Sequence, residues 1–290
     1  MQTLRVEQAG PLLESLATQL KNRTQVKKWL KLRRILVNGE TAQRHDQPLA
    51  AGDVVSIGPA QRIPSVTSPR GLKIVYEDAA ILLVDKPVGL LTISTDTVKT
   101  DTAYYKATEH VRRTSPDGRG RVFIVHRLDR ETSGLLLFAR SHEAKLTLQS
   151  GWDDVEKRYL AVVEGVPAEN AGTITSHLTE NRAFRVFAGP PTKRSRHAVT
   201  HYRVLESRGD RSLLEIRTET GRKHQIRVQL AGLGHPIVGD DKYGHAKSAR
   251  RLGLHASFLR FEHPETGEML EYESPLPGAL RKAFSNASAK

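Results

Sequence analysis

The residues best suited to chemistry are concentrated in one short segment, from Val125 to Phe138. Asp129 lies in its middle, in a dense polar stretch between two apolar runs, with Arg127 and Arg130 on either side. A carboxylate kept ionised by neighbouring cations can act as a nucleophile or as a base. A solvated carboxylate in a salt bridge would give the same local pattern, and most Asp residues in loops are of that kind. The segment is therefore a candidate site whose meaning depends on the rest of the chain.

Three further segments carry residues with chemical potential. Tyr159 lies in an apolar, strand-like run, where an aromatic ring most often packs on the core. Lys86 ends another such run, just before a Pro-Gly turn. Residues 220–230 have the pattern of a basic helix that places a guanidinium, an imidazole and an amide near its start: Arg222, His224, Gln225 and Arg227.

The spacing of these residues resembles that of a known family. The string His126-Arg127-Leu128-Asp129-x-x-Thr132-Ser133-Gly134 is similar to the central motif of the RluA-type pseudouridine synthases. Further motifs of that family are matched by Lys86-Pro87-x-Gly89-Leu90, by Lys157-x-Tyr159 and by Thr220-Gly221-Arg222-x-His224-Gln225-Ile226-Arg227. The match continues through residues 234–240 and 242–244, and the resemblance covers nearly all of residues 71–265.

The resemblance implies a role for each of these residues. It makes Asp129 the catalytic residue, Tyr159 the ring that stacks on the target uracil and serves in proton transfer, and Arg227 the cation paired with Asp129. It makes Arg127 the side chain that fills the space of a uridine flipped out of the RNA. Supporting roles fall to Lys86, His126, Thr132, Gly134, Arg222, His224 and Gln225. Since the reaction is an isomerisation without redox or group transfer, the resemblance implies no cofactor and no metal.

Several predicted elements must position these residues. Residues 121–125 and 135–139, on either side of Asp129, are predicted strands because they are short, apolar and rich in β-branched or aromatic residues. The other predictions are strands over 73–76, 80–84 and 156–165, several antiparallel strands within 173–218, and helices over 102–113 with Asp101 as N-cap, 142–152 with Ser141 as N-cap, 220–230 and 277–284. The resulting fold class is α+β, with a mixed, largely antiparallel sheet and flanking helices.

The first 60 residues form a predicted unit of their own. Leu12 to Leu20 and Val26 to Leu36 have helical periodicity, with Thr24 as N-cap, and Val37-Asn38-Gly39-Glu40 predicts a strand entering a turn. Between residues 21 and 34 there is no acidic residue, and seven basic ones suit an RNA backbone: Lys21, Arg23, Lys27, Lys28, Lys31, Arg33 and Arg34. The order of elements resembles the small RNA-binding domain named after ribosomal protein S-four. Residues 61–70 are predicted to be a linker, and residues 71–290 the catalytic domain.

Composition agrees with a nucleic-acid partner. The chain has 290 residues, 45 Lys and Arg against 32 Asp and Glu, a formal net charge of +13 and a pI of about 10.0. Such an excess of positive charge favours a polyanion, most often nucleic acid. The resemblance implies RNA, and large-subunit ribosomal RNA is the first expectation because the S-four-like domain is frequent among family members that act on it. The absence of cysteine excludes disulfides, thiolate metal sites and a Cys nucleophile. No apolar run approaches the roughly 20 residues of a membrane span, so we expect a cytoplasmic monomer with no membrane partner.

Three alternatives remain open at this stage. The RNA could be transfer RNA instead of ribosomal RNA. The chain could be a catalytically silent RNA-binding protein of ribosome assembly, or a hydrolase that uses Ser133 as nucleophile or Glu131 as a second carboxylate. His197 and His201 suggest a metal pair by spacing, but no suitably spaced third ligand joins them, so we predict no metal there.

Overall fold

The computed structural model describes residues 2–31, 34–42, 44–58, 71–115, 117–244 and 249–286. The predicted linker over residues 61–70 lies outside the described residues, and the domain boundaries on either side of it stay predictions. The chain before and after this gap forms separate sheets. In the described ranges, no helix is long and apolar enough to cross a membrane.

The small N-terminal unit combines two short helices with a four-stranded sheet of order β1-β6-β3-β4 and a two-stranded sheet of β2 and β5. Its elements are β1 (Gln2–Arg5), β2 (Gly10–Pro11), α1 (Leu12–Leu20), α2 (Arg23–Lys31), β3 (Ile35–Val37), β4 (Glu40–Thr41), β5 (Pro48–Leu49) and β6 (Val54–Ile57). Side chains from both helices and the sheet form one buried core, with Leu12, Leu16, Val26, Ile35 and Val55 at its centre.

The second helix differs from its prediction at both ends. The prediction placed it over Val26 to Leu36 with Thr24 as N-cap, and α2 begins and ends earlier. Asn22 is the capping residue, because its side-chain oxygen accepts a hydrogen bond from the backbone N–H of Gln25 (3.0 Å). The apolar residues after α2 form β3 instead of more helix, since pairing with β6 buries their β-branched side chains.

The larger unit is built on one sheet of eleven strands. Nine of them follow the order β13-β12-β14-β15-β11-β16-β10-β8-β7, while β17 pairs with β16 and β9 with β10. The elements are β7 (Lys73–Glu77), β8 (Ile81–Lys86), α3 (Ala103–Thr114), β9 (Phe123–Ile124), β10 (Ser133–Ala139), α4 (His142–Ser150), β11 (Glu156–Glu164), β12 (Ala171–Glu180), β13 (Val186–Gly189), β14 (Arg196–Arg208), β15 (Arg211–Thr218), α5 (Gln225–Gly232), β16 (Leu254–Glu262), β17 (Met269–Glu273) and α6 (Gly278–Ser285). Only β10 and β16 pair in parallel among these described strands, which confirms the mixed, largely antiparallel sheet.

The helix caps of this unit separate one correct prediction from one wrong one. The hydroxyl of Ser141 accepts a hydrogen bond from the N–H of Ala144 (3.0 Å) and caps α4 as predicted. Asp101 does not cap α3. Thr102 does, by accepting from the N–H of Tyr105 (3.1 Å), because it is the last residue with extended backbone before the helix.

Strand β10 is the rigid support of the Asp129 segment, which ends where the strand begins. All of its side chains are buried because both faces of the strand are covered. Leu135 and Leu137 pack in the cluster that contains residues of α4, and Leu136 and Phe138 pack in the cluster that contains residues of α3. The segment that carries Asp129 is therefore anchored at one end to a strand that is buried on both faces.

Gly134 makes the parallel pairing at the start of β10 possible. Its φ is +116°, and a Cβ atom there would lie 2.1 Å from the carbonyl oxygen of Ala256 on β16. No other residue can occupy this position without pushing the two strands apart. The predicted supporting role of Gly134 thus has a steric basis, at the base of the segment that carries Asp129.

Candidate active site

The three proposed catalytic residues line one cleft of about 290 Å³. The segment before β10, strand β11 and the start of α5 form its walls. Nine of the residues predicted from the sequence line it together: His126, Arg127, Asp129, Thr132, Tyr159, Arg222, His224, Gln225 and Arg227. Residues more than a hundred positions apart in the chain therefore converge as the resemblance implied.

Lys86 supports the Asp129 segment from below. Its ammonium is completely buried and donates hydrogen bonds to three backbone carbonyl oxygens: those of Pro87 (3.1 Å), Leu90 (2.8 Å) and Arg130 (3.2 Å). Burial lowers the pKa of Lys86 to about 8, against the opposing charges of Glu131 and Asp129. These contacts tie the end of β8 to the residue after Asp129, which agrees with a supporting role.

Thr92 holds the backbone of Leu128, the residue before Asp129, and no sequence pattern pointed to this contact. Its hydroxyl donates to the carbonyl oxygen of Leu128 (2.6 Å) and accepts from the N–H of the same residue (3.2 Å). Thr92 and Leu128 are both buried residues. The backbone is therefore held immediately before and after the carboxylate.

Arg227 does not form the ion pair that was predicted for it. Among the described residues, its Nε and Nη2 atoms donate to the two carboxylate oxygens of Asp240 (2.8 and 2.7 Å), and both side chains are buried. Burial acts to lower the pKa of Arg227, but hydrogen bonds to Asp240 and the charges of Asp240, Asp129 and Glu131 raise it overall. The direct pair with Asp129 is therefore corrected to a pair with Asp240 that fixes a permanent cation in the cleft wall.

The imidazole of His224 lies beside the Asp129 carboxylate, with 3.9 Å between Nε2 and Oδ2. Its other ring nitrogen, Nδ1, lies 2.8 Å from the hydroxyl of Tyr243, and that hydroxyl oxygen accepts the N–H of Val186 (3.1 Å). When the phenol hydrogen is donated to Nδ1, the proton of a neutral imidazole is on Nε2, facing Asp129. Burial lowers the pKa of His224, so the neutral form prevails at neutral pH, although Asp129 opposes the shift.

Tyr159 lies on β11 where the pairing with β16 shifts register between Arg158 and Tyr159. Such a bulge redirects a side chain relative to the regular strand. The ring is partly exposed in the cleft. Burial, with the nearby charge of Asp129, raises the pKa of the phenol to about 12. The hydroxyl therefore stays protonated at neutral pH.

Gln225 and Arg222 shape the entry to α5. The amide nitrogen of Gln225 donates to the carbonyl oxygen of Val199 (3.0 Å) and to the hydroxyl of Thr200 (2.9 Å), and its amide oxygen accepts from Thr220 (2.8 Å) and from the N–H of Arg222 (3.0 Å). The predicted helix start at residue 220 is wrong, because these bonds hold residues 220–224 in a loop that ends in a turn, with His224 in the left-handed region, and α5 begins at Gln225.

His126 and Arg127 differ sharply in exposure. His126 stacks on Trp152 (4.5 Å between ring centroids), and its Nε2 accepts the N–H of Leu137 (2.9 Å). Burial lowers the pKa of His126 to about 3, so it is a neutral wall of the cleft. Arg127 is exposed and lines the cleft.

Other sequence candidates are structural. Ser133 is buried, bonds to Arg251 (2.7 Å) and His255 (2.9 Å), and does not line the cleft, which argues against Ser133 as a hydrolase nucleophile there. His201 bonds to Thr173 (2.8 Å) and Glu219 (2.7 Å). Within the described ranges, no group of three or more His, Cys, Asp or Glu side chains could hold a metal ion.

The basic N-terminal residues do not form one uniform surface. Lys21 and Lys27 are exposed, and Arg23 pairs with Glu14 (2.7 Å). Arg34 is largely buried against Glu268 (2.7 Å), which makes it a contact with the catalytic unit. Arg33, another predicted RNA contact, lies outside the described residues. The side chains of Lys28 and Lys31 are also outside the description.

The site also contains residues that the sequence analysis missed. Asp240 and Tyr243 lie within the matched strings of residues 234–240 and 242–244, so the resemblance pointed to their segment but not to their contacts. Trp152 and Thr92 belong to no matched string. A buried threonine or a wall tryptophan has no local pattern that separates it from ordinary core residues.

A carboxylate beside an aromatic ring and an immobilised arginine, in an open cleft of a strongly basic protein, fits an enzyme that acts on nucleic acid. The family described as RNA pseudouridylate synthase matches residues 80–232. An uncharacterized RNA pseudouridine synthase of Bacillus subtilis, YlyB, is 36% identical over 91% of this chain and 89% of its own length. The chain belongs to the RNA pseudouridylate synthases, in their RluA-type family.

Other comparisons agree. Ribosomal large subunit pseudouridine synthase D of Xanthomonas campestris is 34% identical, over 91% of this chain and 84% of its own length. Human RNA Pseudouridylate Synthase Domain Containing 1 aligns with a TM-score of 0.57 and 29% identity, over 73% of this chain and 86% of its own. Human RNA Pseudouridylate Synthase Domain Containing 4, at 24% identity, shares the fold with a TM-score of 0.63 over 73% of this chain and 91% of its own.

Proposed function

We propose that this enzyme converts uridine to pseudouridine in large-subunit ribosomal RNA, with Asp129 as its catalytic residue. The observation that carries the proposal is the meeting of Asp129, Tyr159 and Arg227 in one cleft of a chain with net charge +13. The ribosomal target is supported by relatives named ribosomal large subunit pseudouridine synthase D, from three genera, at 32–34% identity.

The reaction begins when the target uridine leaves its stack, at a cost of a few kcal/mol. We assign Arg127 to the vacated space because, of the two exposed arginines of the segment, Arg127 lines the cleft and Arg130 does not. The uracil then enters the cleft and stacks on Tyr159, which is worth about 1 to 3 kcal/mol for an aromatic ring. Asp129 reaches the sugar either as a nucleophile at the anomeric carbon or as a base beside it.

The chemistry is balanced within the nucleoside. The bond from N1 of uracil to the anomeric carbon breaks, the base rotates, and a bond from C5 to the same carbon forms. N1 ends with a proton, and C5 loses its hydrogen to solvent. Tyr159 stays protonated in the resting site, so its phenol is available as a proton donor while Arg227 compensates negative charge in the cleft.

Several finer assignments belong to the proposal. The exposed side chains of Lys21 and Lys27 bind RNA phosphates, and residues 1–60 act as an S-four-like domain. The enzyme works as a monomer in the cytoplasm. Measuring RNA affinity against salt for the full chain and for residues 71–290 tests the first point: removing the N-terminal unit should make the slope shallower. An unchanged slope would remove that unit from the RNA interface.

Release of tritium from C5 of labelled uridine tests the activity and its target. The full chain should release tritium from large-subunit ribosomal RNA, while an Asp129→Asn variant with unchanged RNA affinity should not. A matched Glu131→Gln variant, altered at the other carboxylate of the segment, should keep most of the rate. Release from transfer RNA alone would overturn the ribosomal target, and full activity of Asp129→Asn would overturn the assignment of Asp129.

A further inference from the structure

The turn between β12 and β13 presents an exposed aromatic ring. Phe184 is 69% exposed, the largest exposed fraction among the large apolar side chains of the described residues. A phenylalanine at a hairpin tip contributes nothing to the core, and its ring is available to a ligand that brings a flat apolar face.

The turn that carries Phe184 is rigid. Asn181 accepts hydrogen bonds at its side-chain oxygen from the N–H groups of Ala183 and Arg185 (both 3.0 Å). The backbone of Phe184 has a φ of +56°, in the left-handed region that bulky residues rarely adopt. Local hydrogen bonds thus define the backbone of the turn, and Phe184 adopts a costly conformation that the fold does not recover by packing.

The hairpin is fastened to the wall of the catalytic cleft. Arg185 donates to the carbonyl oxygen of Lys242 (2.8 Å), and the N–H of Val186 donates to the Tyr243 hydroxyl that bonds His224. The ring of Phe184 lies 5.3 Å from Nζ of Lys223, the residue between Arg222 and His224, which both line the cleft. The exposed ring therefore stands at the cleft rim.

The surroundings of the ring are positively charged. Arg182, Arg185 and Lys223 lie at or beside it, and the nearby acid Glu180 is already paired with Lys223. At the other end of β13, residues 190–196 add three more basic residues without an acidic one: Lys193, Arg194 and Arg196. A flat apolar ring among cations suits a nucleobase attached to a phosphate backbone, whereas an apolar protein surface would meet unfavourably desolvated charges.

We propose that Phe184 is a stacking platform for an RNA base that flanks the target uridine, so that the hairpin tip and the cleft hold neighbouring nucleotides. The inference rests on the proposed function and extends it to substrate binding outside the cleft. Stacking on an aromatic side chain tolerates any base. The platform therefore adds affinity for an unpaired strand next to the target without selecting its sequence.

The test compares Phe184→Ala, Phe184→Trp and Phe184→Leu in the full chain by the KM and kcat of tritium release from ribosomal RNA. Phe184→Ala should raise KM about 5- to 150-fold, which corresponds to the loss of one base–aromatic stack. The value of kcat should stay within about twofold, because the ring does not touch the reacting atoms. Phe184→Trp should retain the wild-type KM, and Phe184→Leu should behave like Phe184→Ala. Leu205→Ala, which changes an exposed apolar residue at the far end of β14, is the matched control and should leave KM unchanged.

Each other outcome contradicts the inference in its own way. A wild-type KM in Phe184→Ala would show that the ring does not bind RNA, while the enzyme's activity in the same assay would leave the proposed function standing. A wild-type KM in Phe184→Leu would show a contact that needs only an apolar side chain, as for a protein partner. Absence of tritium release by the wild-type chain from ribosomal and transfer RNA would overturn the proposed function and this inference together.

Discussion

The ion pair between Arg227 and Asp240 should be essential to stability, and Asp240→Asn tests this. Asp240→Asn keeps the shape of the side chain and an oxygen able to accept the N–H groups of Lys242 and Tyr243, which Oδ1 now accepts (3.0 and 3.1 Å). The new amide nitrogen would face Nε of Arg227, where Oδ2 now lies 2.8 Å away. A donor would meet a donor, and the buried guanidinium would lose its countercharge.

The magnitude follows from burial and distance. Two unit charges about 4 Å apart attract by about 4 kcal/mol at an effective dielectric constant of about 20. Removing one partner of a buried pair typically costs about 3 to 5 kcal/mol, because the other charge is left buried and uncompensated. Asp240→Asn should therefore lower the free energy of unfolding by about 3 to 5 kcal/mol, and Tm by roughly 6 to 20 °C.

The neighbouring residue supplies the matched control. Asp241 also contacts Arg227, at 3.4 Å, but its side chain is 80% exposed. Asp241→Asn should cost at most about 1 kcal/mol, as exposed ion pairs do. Both variants are measured by thermal unfolding and by tritium release, and only Asp240→Asn should lose activity along with stability. Equal effects of the two variants on Tm would refute the reasoning, since it assigns the large cost to the buried carboxylate with two short bonds to Arg227 and a small one to the exposed carboxylate at 3.4 Å.

Three further predictions concern the supports of the site. Tyr243→Phe removes the hydroxyl that fixes the tautomer of His224, so the pH profile of kcat should change shape while KM stays within about twofold; an unchanged profile would contradict the tautomer argument. Gly134→Ala should lower the free energy of unfolding by about 3 kcal/mol or more because its methyl group meets the carbonyl oxygen of Ala256, and thermal unfolding at the wild-type Tm would exclude that clash. Lys86 has a folded pKa of about 8, below its unfolded value, so the unfolded chain binds the additional proton and stability should rise between about pH 8 and 10.5. Lys86→Met should lack this rise in denaturant titrations, and an identical pH dependence would refute it.

The sequence predicted the membership of the site better than its internal contacts. Asp129, Tyr159 and Arg227 were found because the strings that contain them resemble the motifs of the RluA-type family, and the structure places all three in one cleft. The partner of Arg227 was predicted wrongly. Asp240 lies 13 residues further on, after the turn that follows α5, and only the folded backbone brings its carboxylate to the guanidinium.

The fold shows the same division. The antiparallel sheet and the helix capped by Ser141 followed from local pattern and were confirmed. The end of α2 was predicted wrongly because residues 35–37 carry apolar side chains that suit either a helix or a strand, and pairing with β6 decides between them. Thr92 had no signal at all, since its role depends on meeting Leu128 across the fold.

We propose that this enzyme isomerises uridine in large-subunit ribosomal RNA, with Asp129 as its catalytic residue. Mapping of pseudouridines tests it most directly, in ribosomal RNA from cells that lack the protein and carry either the wild-type chain or Asp129→Asn. We expect one or more pseudouridines of the large-subunit RNA to be absent from cells that lack the protein. They should return with the wild-type chain and should not return with Asp129→Asn. An unchanged map of the large-subunit RNA after deletion, or restoration by Asp129→Asn, would contradict it.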